Sequence, residues 1–167
     1  MFGRKIDPNE RQKVLDLLVH WNRSVTRIDE STSRMRLTIA EQPLGMQSKE
    51  FETARLAAVA TVEQIRKETS AQQFWPILND DRSMLIMLEL QNKLIESYKH
   101  QLNLLRLFGA AAEAFRSGQN YKSPSQQEVT SANSHFARVL DEMGALAGKL
   151  ARNYRIEGRE YLTALRR

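Results

Sequence analysis

Residues 8–41, "PNERQKVLDLLVHWNRSVTRIDESTSRMRLTIAE", decide the fold class of this chain. Mostly apolar side chains recur along this stretch with alternating spacings of four and three residues, without a break. The positions are Val14, Leu18, Trp21, Val25, Ile28, Thr32, Met35 and Ile39. Such a seam is typical of an α-helix that packs along its whole length. At a rise of 1.5 Å per residue this helix extends roughly 50 Å, which indicates an elongated helical bundle.

The four prolines divide the chain into four helical segments. Proline is tolerated in the first turn of a helix but breaks its interior, and each proline here precedes a stretch with helical periodicity. The motif at residues 7–10 predicts that Asp7 caps the first helix and that Glu10 reaches back to it, as in a capping box. The other predicted caps are Ser48, Asp80 or Asp81, and Ser123. The predicted helices cover residues 8–41, 47–73, 81–117 and 124–165.

The last predicted helix repeats the seam of the first, and no segment alternates with the two-residue period of a strand. Short connectors favour antiparallel neighbours. We therefore predict an all-α fold, a single domain over residues 1–167 that forms an elongated antiparallel four-helix bundle with coiled-coil-like seams. A heptad seam shows that a helix packs without naming its partner. The alternative is that some seams face a second copy of the chain.

Composition excludes several classes of function. The chain has no cysteine, which removes disulfide frameworks, thiolate metal sites and cysteine nucleophiles and fits a reducing compartment. Its start does not resemble a signal peptide. No apolar stretch approaches the roughly 20 residues that a membrane-spanning helix requires. We expect a soluble, cytoplasmic protein.

Catalytic and metal-binding motifs are not recognisable in the sequence. Neither a glycine-rich phosphate loop nor a serine elbow occurs. The three histidines, His20, His100 and His135, fall on different predicted helices, and we expect structural roles for them. Glu96 and His100 are one turn apart, but a metal site needs convergent ligands from elsewhere. We therefore expect no enzymatic activity, no cofactor and no metal.

The connector "QQFWPIL", residues 72–78, holds the candidate partner contacts Phe74 and Trp75. Bundle ends need apolar cover, which favours a plug at the end of the bundle. The alternative is an exposed anchor for a partner, because tryptophan is enriched at the energetic centres of protein interfaces.

Two glycines, Gly144 and Gly148, lie four residues apart on the last predicted helix, next to its seam. We expect a narrow crossing against a bulky neighbour. The alternative is a flexible point, because each glycine costs about 1 kcal/mol of helix stability relative to alanine.

The C-terminal residues 149–167 hold six basic and two acidic side chains, whereas the formal net charge of the whole chain is only +5. On one continuous helix four arginines share a face and form a candidate anion-binding face. These residues are Arg152, Arg155, Arg159 and Arg166. The simpler interpretation, which we favour, is a solvated face whose charges complement the helix C-terminus.

These observations predict a non-enzymatic protein–protein interaction module, acting as an adaptor, regulator or assembly subunit. Its expected partner is another protein or a second copy of itself. The alternative function is binding of nucleic acid or of an anionic membrane surface through the basic C-terminal helix. That alternative ranks second because one basic end beside a neutral middle gives a weaker electrostatic field than that of a dedicated nucleic-acid binder.

Overall fold

The computed structural model describes residues 5–42, 44–71, 75–118 and 126–167, with the side chains of these residues except 126–130, 132 and 133. All regular secondary structure in this part of the chain is helical, which confirms the predicted all-α class. Within the described ranges, no helix combines the length and the apolar character needed to cross a membrane. The helices are α1 (Pro8–Glu41), α2 (Lys49–Ser70), α3 (Asp81–Arg116), α4 (Gln126–Asn153) and α5 (Gly158–Leu165), with a 3₁₀ turn at Gly45–Gln47.

Side-chain caps set the starts of the first three helices. Asp7, Ser48 and Asp80 each accept a hydrogen bond from a backbone N–H two or three residues further on, at 2.9, 3.1 and 3.0 Å. Such acceptors satisfy amides that have no partner within the helix. These three predicted caps are confirmed, whereas Ser123 lies outside the described residues.

Consecutive helices pack against one another, α1 on α2, α2 on α3 and α3 on α4. Two ion pairs join neighbouring helices. Glu52 near the start of α2 lies 3.9 Å from Arg116 at the end of α3, and Lys93 of α3 pairs with Glu142 of α4 at 2.5 Å. The contact between α1 and α4 is much smaller than the other three. These contacts fit the antiparallel order that the short connectors predict, and the contact between α1 and α4 is the weakly packed side.

One cluster of buried apolar side chains runs through the four long helices. Fully burying a large apolar side chain stabilises a fold by about 1.5–3 kcal/mol, so this cluster is the main source of stability. The α1 seam residues Val14, Leu18, Ile28 and Met35 belong to it, and Trp21, Val25 and Ile39 pack against it. Members that are at most 2% exposed include Val14, Ile28, Met35, Phe51, Ile65, Met87, Leu94, Tyr98, Met143, Leu150 and Tyr154.

The predicted continuous helix over 124–165 is wrong, because the chain turns between α4 and α5. The Ile156 N–H donates to Ala151 O at 2.9 Å, and the Arg155 N–H donates to Arg152 O at 3.1 Å. Arg155 has a φ of 52°, in the left-handed region. This pair of bonds is the Schellman arrangement that ends many helices. The turn brings α5 into contact with α1.

Candidate functional site: the groove between α1, α4 and α5

Arg11, near the start of α1, forms hydrogen bonds with the turn that follows α4. Its Nε donates to Tyr154 O and its Nη2 donates to Arg155 O, both at 3.1 Å. Carbonyl groups at a helix end have no partner within the helix, so the guanidinium satisfies them. The same guanidinium donates to both carboxylate oxygens of Glu160 in α5, at 2.7 and 2.5 Å. One side chain therefore ties α1 to the end of α4 and to α5.

A second arginine of α1 holds the other end of α5. Arg23 Nη2 donates to Leu165 O, at the last residue of α5, at 3.1 Å. At the near end, the hydrogen bond from Arg11 lowers the pKa of the Glu160 carboxyl group. The side chains of Arg11 and Glu160 are 30% and 33% exposed, so water screens their attraction and the pair contributes modestly.

Glu10, beside Arg11 on α1, is only 6% exposed. Its carboxylate accepts hydrogen bonds from the Asn79 backbone N–H at 2.9 Å and from the Asn79 side-chain amide at 3.0 Å. The Tyr154 hydroxyl also donates to it. The predicted capping-box role of Glu10 is wrong because these partners engage both of its oxygens. A buried carboxylate is tolerated when it is hydrogen-bonded, so Glu10 joins α1, the connector before α3 and the end of α4.

An open groove of about 390 Å³ lies between α1, α4 and α5. We call it the α1–α4–α5 groove. Leu18 and Trp21 line it from α1, and Ile156 and Tyr161 line it from the turn and α5. Most of these side chains are apolar, and apolar concave surfaces are the usual binding sites of proteins. The remaining lining residues are Asn22, Gly144, Ala147, Gly148, Ala151, Glu157 and Gly158.

The two glycines of α4 face open space in this groove. A Cβ atom placed on Gly144 would meet no atom within 4 Å, and one placed on Gly148 would meet only Arg152 Nη1, at 3.8 Å. The predicted narrow crossing against a bulky neighbour is therefore wrong within the described part of the chain. The physical reason is the small contact between α1 and α4, which leaves the glycine face of α4 uncovered.

Trp21 brings an unsatisfied donor to the same region. Its indole Nε1 is buried and has no hydrogen-bond partner among the residues that the structure describes. Leaving a buried donor unpaired costs about 1–3 kcal/mol.

The predicted partner contacts Phe74 and Trp75 belong to the connector before α3, and Trp75 is not among the residues that line the groove. Phe74 lies outside the described residues. Trp75 is partly buried against the core, and its indole N–H donates to Thr69 O at 2.6 Å, which fits the plug better than the exposed anchor. Two residues further on, Ile77 is 83% exposed. The sequence analysis did not predict this exposed residue. The available signal was an apolar side chain that directly follows a proline in a connector.

The four arginines of the predicted anion-binding face do not lie on one helix. A shared face requires an unbroken helix, so this prediction is corrected by the turn between α4 and α5. Arg152 instead lines a cavity of about 490 Å³ together with Lys149 of α4 and Arg82 of α3. All four side chains are exposed: Arg152 in α4, Arg155 in the turn, Arg159 in α5 and Arg166 after it.

Two of the three histidines come together although they belong to different helices. The ring centroids of His100 in α3 and His135 in α4 are 4.6 Å apart. Glu96, one turn before His100, lies 3.9 Å from His100 Nε2. His20 stands apart on α1, where burial lowers its pKa. The sequence could not show the pairing, since it arises from the packing of α3 on α4.

Comparison of the chain with protein-family models, curated proteins and solved structures finds no match. Function is therefore inferred from the geometry of these surfaces.

Proposed function

We propose that this chain is a non-enzymatic protein-interaction module, a four-helix bundle whose α1–α4–α5 groove receives an apolar helix of another protein. The observation that carries the proposal is the open space over Gly144 and Gly148. Glycine permits close approach of a second backbone, and a partner helix that lays its apolar face into a groove is a common mode of recognition. The packing of consecutive helices supports the bundle, and the small contact between α1 and α4 supports an opening on that side.

The groove also favours a particular chemistry of partner. Two leucine-sized side chains entering it would contribute about 3–6 kcal/mol by burial. We therefore expect an amphipathic helix that presents adjacent apolar side chains. Because association itself costs at least several kcal/mol, the groove alone supports a transient complex. A tighter complex would also cover neighbouring apolar surface such as Leu162 of α5, which is 54% exposed.

The proposal is tested by a variant in which a larger side chain fills the groove. Gly144→Leu places a leucine in the open space, and Ala145→Leu, at the next exposed position outside the groove, is the matched control. Tagged wild-type and variant chains are used to capture partners from nuclease-treated native lysate, and bound proteins are quantified by mass spectrometry. We expect the wild type and Ala145→Leu to capture the same proteins and Gly144→Leu to lose them. Equal capture by all three chains would rule out the groove as the binding site.

The oligomeric state provides the second arm of this experiment. Light scattering after size-exclusion chromatography measures the mass of each chain in solution. A wild-type oligomer that Gly144→Leu converts to a monomer, with Ala145→Leu unchanged, would identify a second copy as the occupant and would overturn the proposed heterologous partner.

A second candidate function, binding of nucleic acid or an anionic membrane surface, is favoured by one observation. Arg82, Lys149 and Arg152 line the same cavity, with Glu89 as its acidic residue. Contacts to phosphates release counterions, so such binding weakens steeply with salt. The capture is therefore repeated from lysate without nuclease. Material that appears only without nuclease, falls with salt and is lost in Arg152→Gln would support this function in place of the groove.

A further inference from the structure

We propose that Glu96, His100 and His135 form a binding site for a divalent transition-metal ion of the zinc class, which links α3 to α4. One potential ligand atom from each residue lies within 4.8 Å of the others. Donor atoms around a tetrahedral ion, each about 2.1 Å from it, stand roughly 3.4 Å apart. Closing the site therefore requires small side-chain rotations, and no movement of the helices.

The three residues are arranged so that such rotations are easy. Glu96 and His100 follow one another by one helical turn, and their side chains are 62% and 55% exposed. Exposed side chains change rotamer freely. His135 is the more buried residue of the three, so it supplies the fixed ligand, around which the two residues of α3 can close.

His135 has one ring nitrogen without a partner in the described part of the chain, and this nitrogen can bind a metal once its proton has moved to the other ring nitrogen. Its Nε2 is buried and lacks a hydrogen-bond partner among the described residues. Its Nδ1 lies 3.0 Å from Arg138 Nη2, one turn further along α4. An arginine only donates hydrogen bonds, so Nδ1 is the acceptor and Nε2 carries the proton when the imidazole is neutral.

Arg138 is consequently a competitor of the metal. Binding at Nδ1 replaces the hydrogen bond from the guanidinium, and binding at Nε2 moves the proton to Nδ1, which then has no lone pair for Arg138. In both cases the guanidinium must leave, and its positive charge also opposes a cation. Arg138 is exposed and can turn into water. Its removal is therefore expected to increase metal affinity.

The donor set indicates the class of metal. Two imidazoles and one carboxylate suit zinc and similar first-row divalent ions, whereas magnesium and calcium prefer oxygen ligands. Three protein ligands leave a coordination position for water. His135 and Gly144 are nine residues apart on α4, which places them on opposite faces of a helix with 3.6 residues per turn. A metal would thus stabilise the packing of α3 on α4 without entering the α1–α4–α5 groove.

The test uses the full chain without an affinity tag, after removal of metal with a chelator. Calorimetric titration with zinc chloride is expected to show one ion bound per chain, and magnesium chloride is expected to show none. His100→Ala and His135→Ala are each expected to weaken zinc binding at least tenfold, and Arg138→Ala to strengthen it several-fold. His20→Gln is the matched control for the third histidine and should bind zinc as the wild type does.

Two further readouts separate a metal site from a folding defect. Thermal unfolding of each metal-free variant, followed by circular dichroism, establishes that the variant is folded. Visible absorption of the cobalt-loaded chain reports tetrahedral coordination and should disappear in His100→Ala. Absence of zinc binding in the wild type, or unchanged affinity in a folded His100→Ala or His135→Ala, would overturn the proposal.

Discussion

Replacing Gly144 with alanine is expected to stabilise the fold. Glycine within a helix costs about 1 kcal/mol relative to alanine, because it loses more conformational freedom on folding. The added methyl group would meet no atom within 4 Å, so no steric cost offsets this gain. The free energy of unfolding should rise by roughly 0.7–1 kcal/mol, which corresponds to an increase in Tm of about 2–4 °C for a chain of this size.

Gly109 of α3 is the matched comparison, because it is a helical glycine whose neighbourhood is filled. A Cβ atom there would lie 2.6 Å from Arg55 Cζ. The Arg55 guanidinium donates to Leu105 O at 3.2 Å and pairs with Glu52 at 2.7 Å, so a methyl group would displace it. A hydrogen bond from a charged donor contributes about 1.5–3 kcal/mol, which outweighs the gain from helix propensity. Gly109→Ala is therefore expected to lower stability by roughly 0.5–2 kcal/mol.

Urea unfolding of the two variants and the wild type measures both changes, provided that the m-value stays constant. A midpoint for Gly144→Ala at or below that of the wild type would refute the open groove, since it would show that a neighbour already fills the space. A gain of equal size in Gly109→Ala would refute the packing of Arg55 on α3.

Two other contacts of α1 give further predictions. Glu10→Ala is expected to lower the free energy of unfolding by about 3 kcal/mol or more, since three hydrogen bonds lose their acceptor; a loss below about 1 kcal/mol in urea unfolding would contradict its buried network. The ion pair between Arg11 and Glu160 gives a second prediction, because it lowers the pKa of the Glu160 carboxyl group in the folded chain. Its contribution to stability is complete above the ordinary glutamate pKa of about 4.3. The contribution is lost as the pH falls through the lower pKa of the folded state. Trp21 fluorescence in a Trp75→Phe chain, titrated into acid, should report this loosening of α5, and a transition that persists in Glu160→Gln would contradict it.

Helix boundaries were predictable wherever local chemistry sets them. The predicted ranges 8–41 and 81–117 compare with Pro8–Glu41 and Asp81–Arg116 in the structure. A capping side chain acts within one helical turn, so its effect can be predicted from a few neighbouring residues. The helix predicted from residue 47 begins at Lys49 because the 3₁₀ turn at Gly45–Gln47 precedes the Ser48 cap.

The turn after α4 was not predictable for the opposite reason. The residue in the left-handed conformation is Arg155, where glycine is the usual choice, and the seam through Tyr154 and Tyr161 continues with unbroken spacing. The turn depends on Glu10 and Arg11, and Arg11 is separated from its acceptor Tyr154 by 143 residues. Long-range hydrogen bonds leave no periodicity in the sequence. The groove could not be predicted for the same reason. The spacing of the two glycines shows that they share one face of α4, but it does not show which element packs on that face.

The short helix α5 is the least firmly held part of the groove. It has eight residues, none of them buried, and an isolated helix of this length is unstable in water. Its position depends on Arg11 and Arg23 of α1 and on the packing of Tyr161 against the core. Exposed ion pairs contribute about 1 kcal/mol or less, so α5 belongs to the low-stability end of the fold. The walls from α1 and α4 are anchored in the core, whereas the wall from α5 can move at small cost. We therefore expect α1 and α4 to select the partner's apolar side chains, and α5 to adjust to their size and to become more ordered when a partner binds.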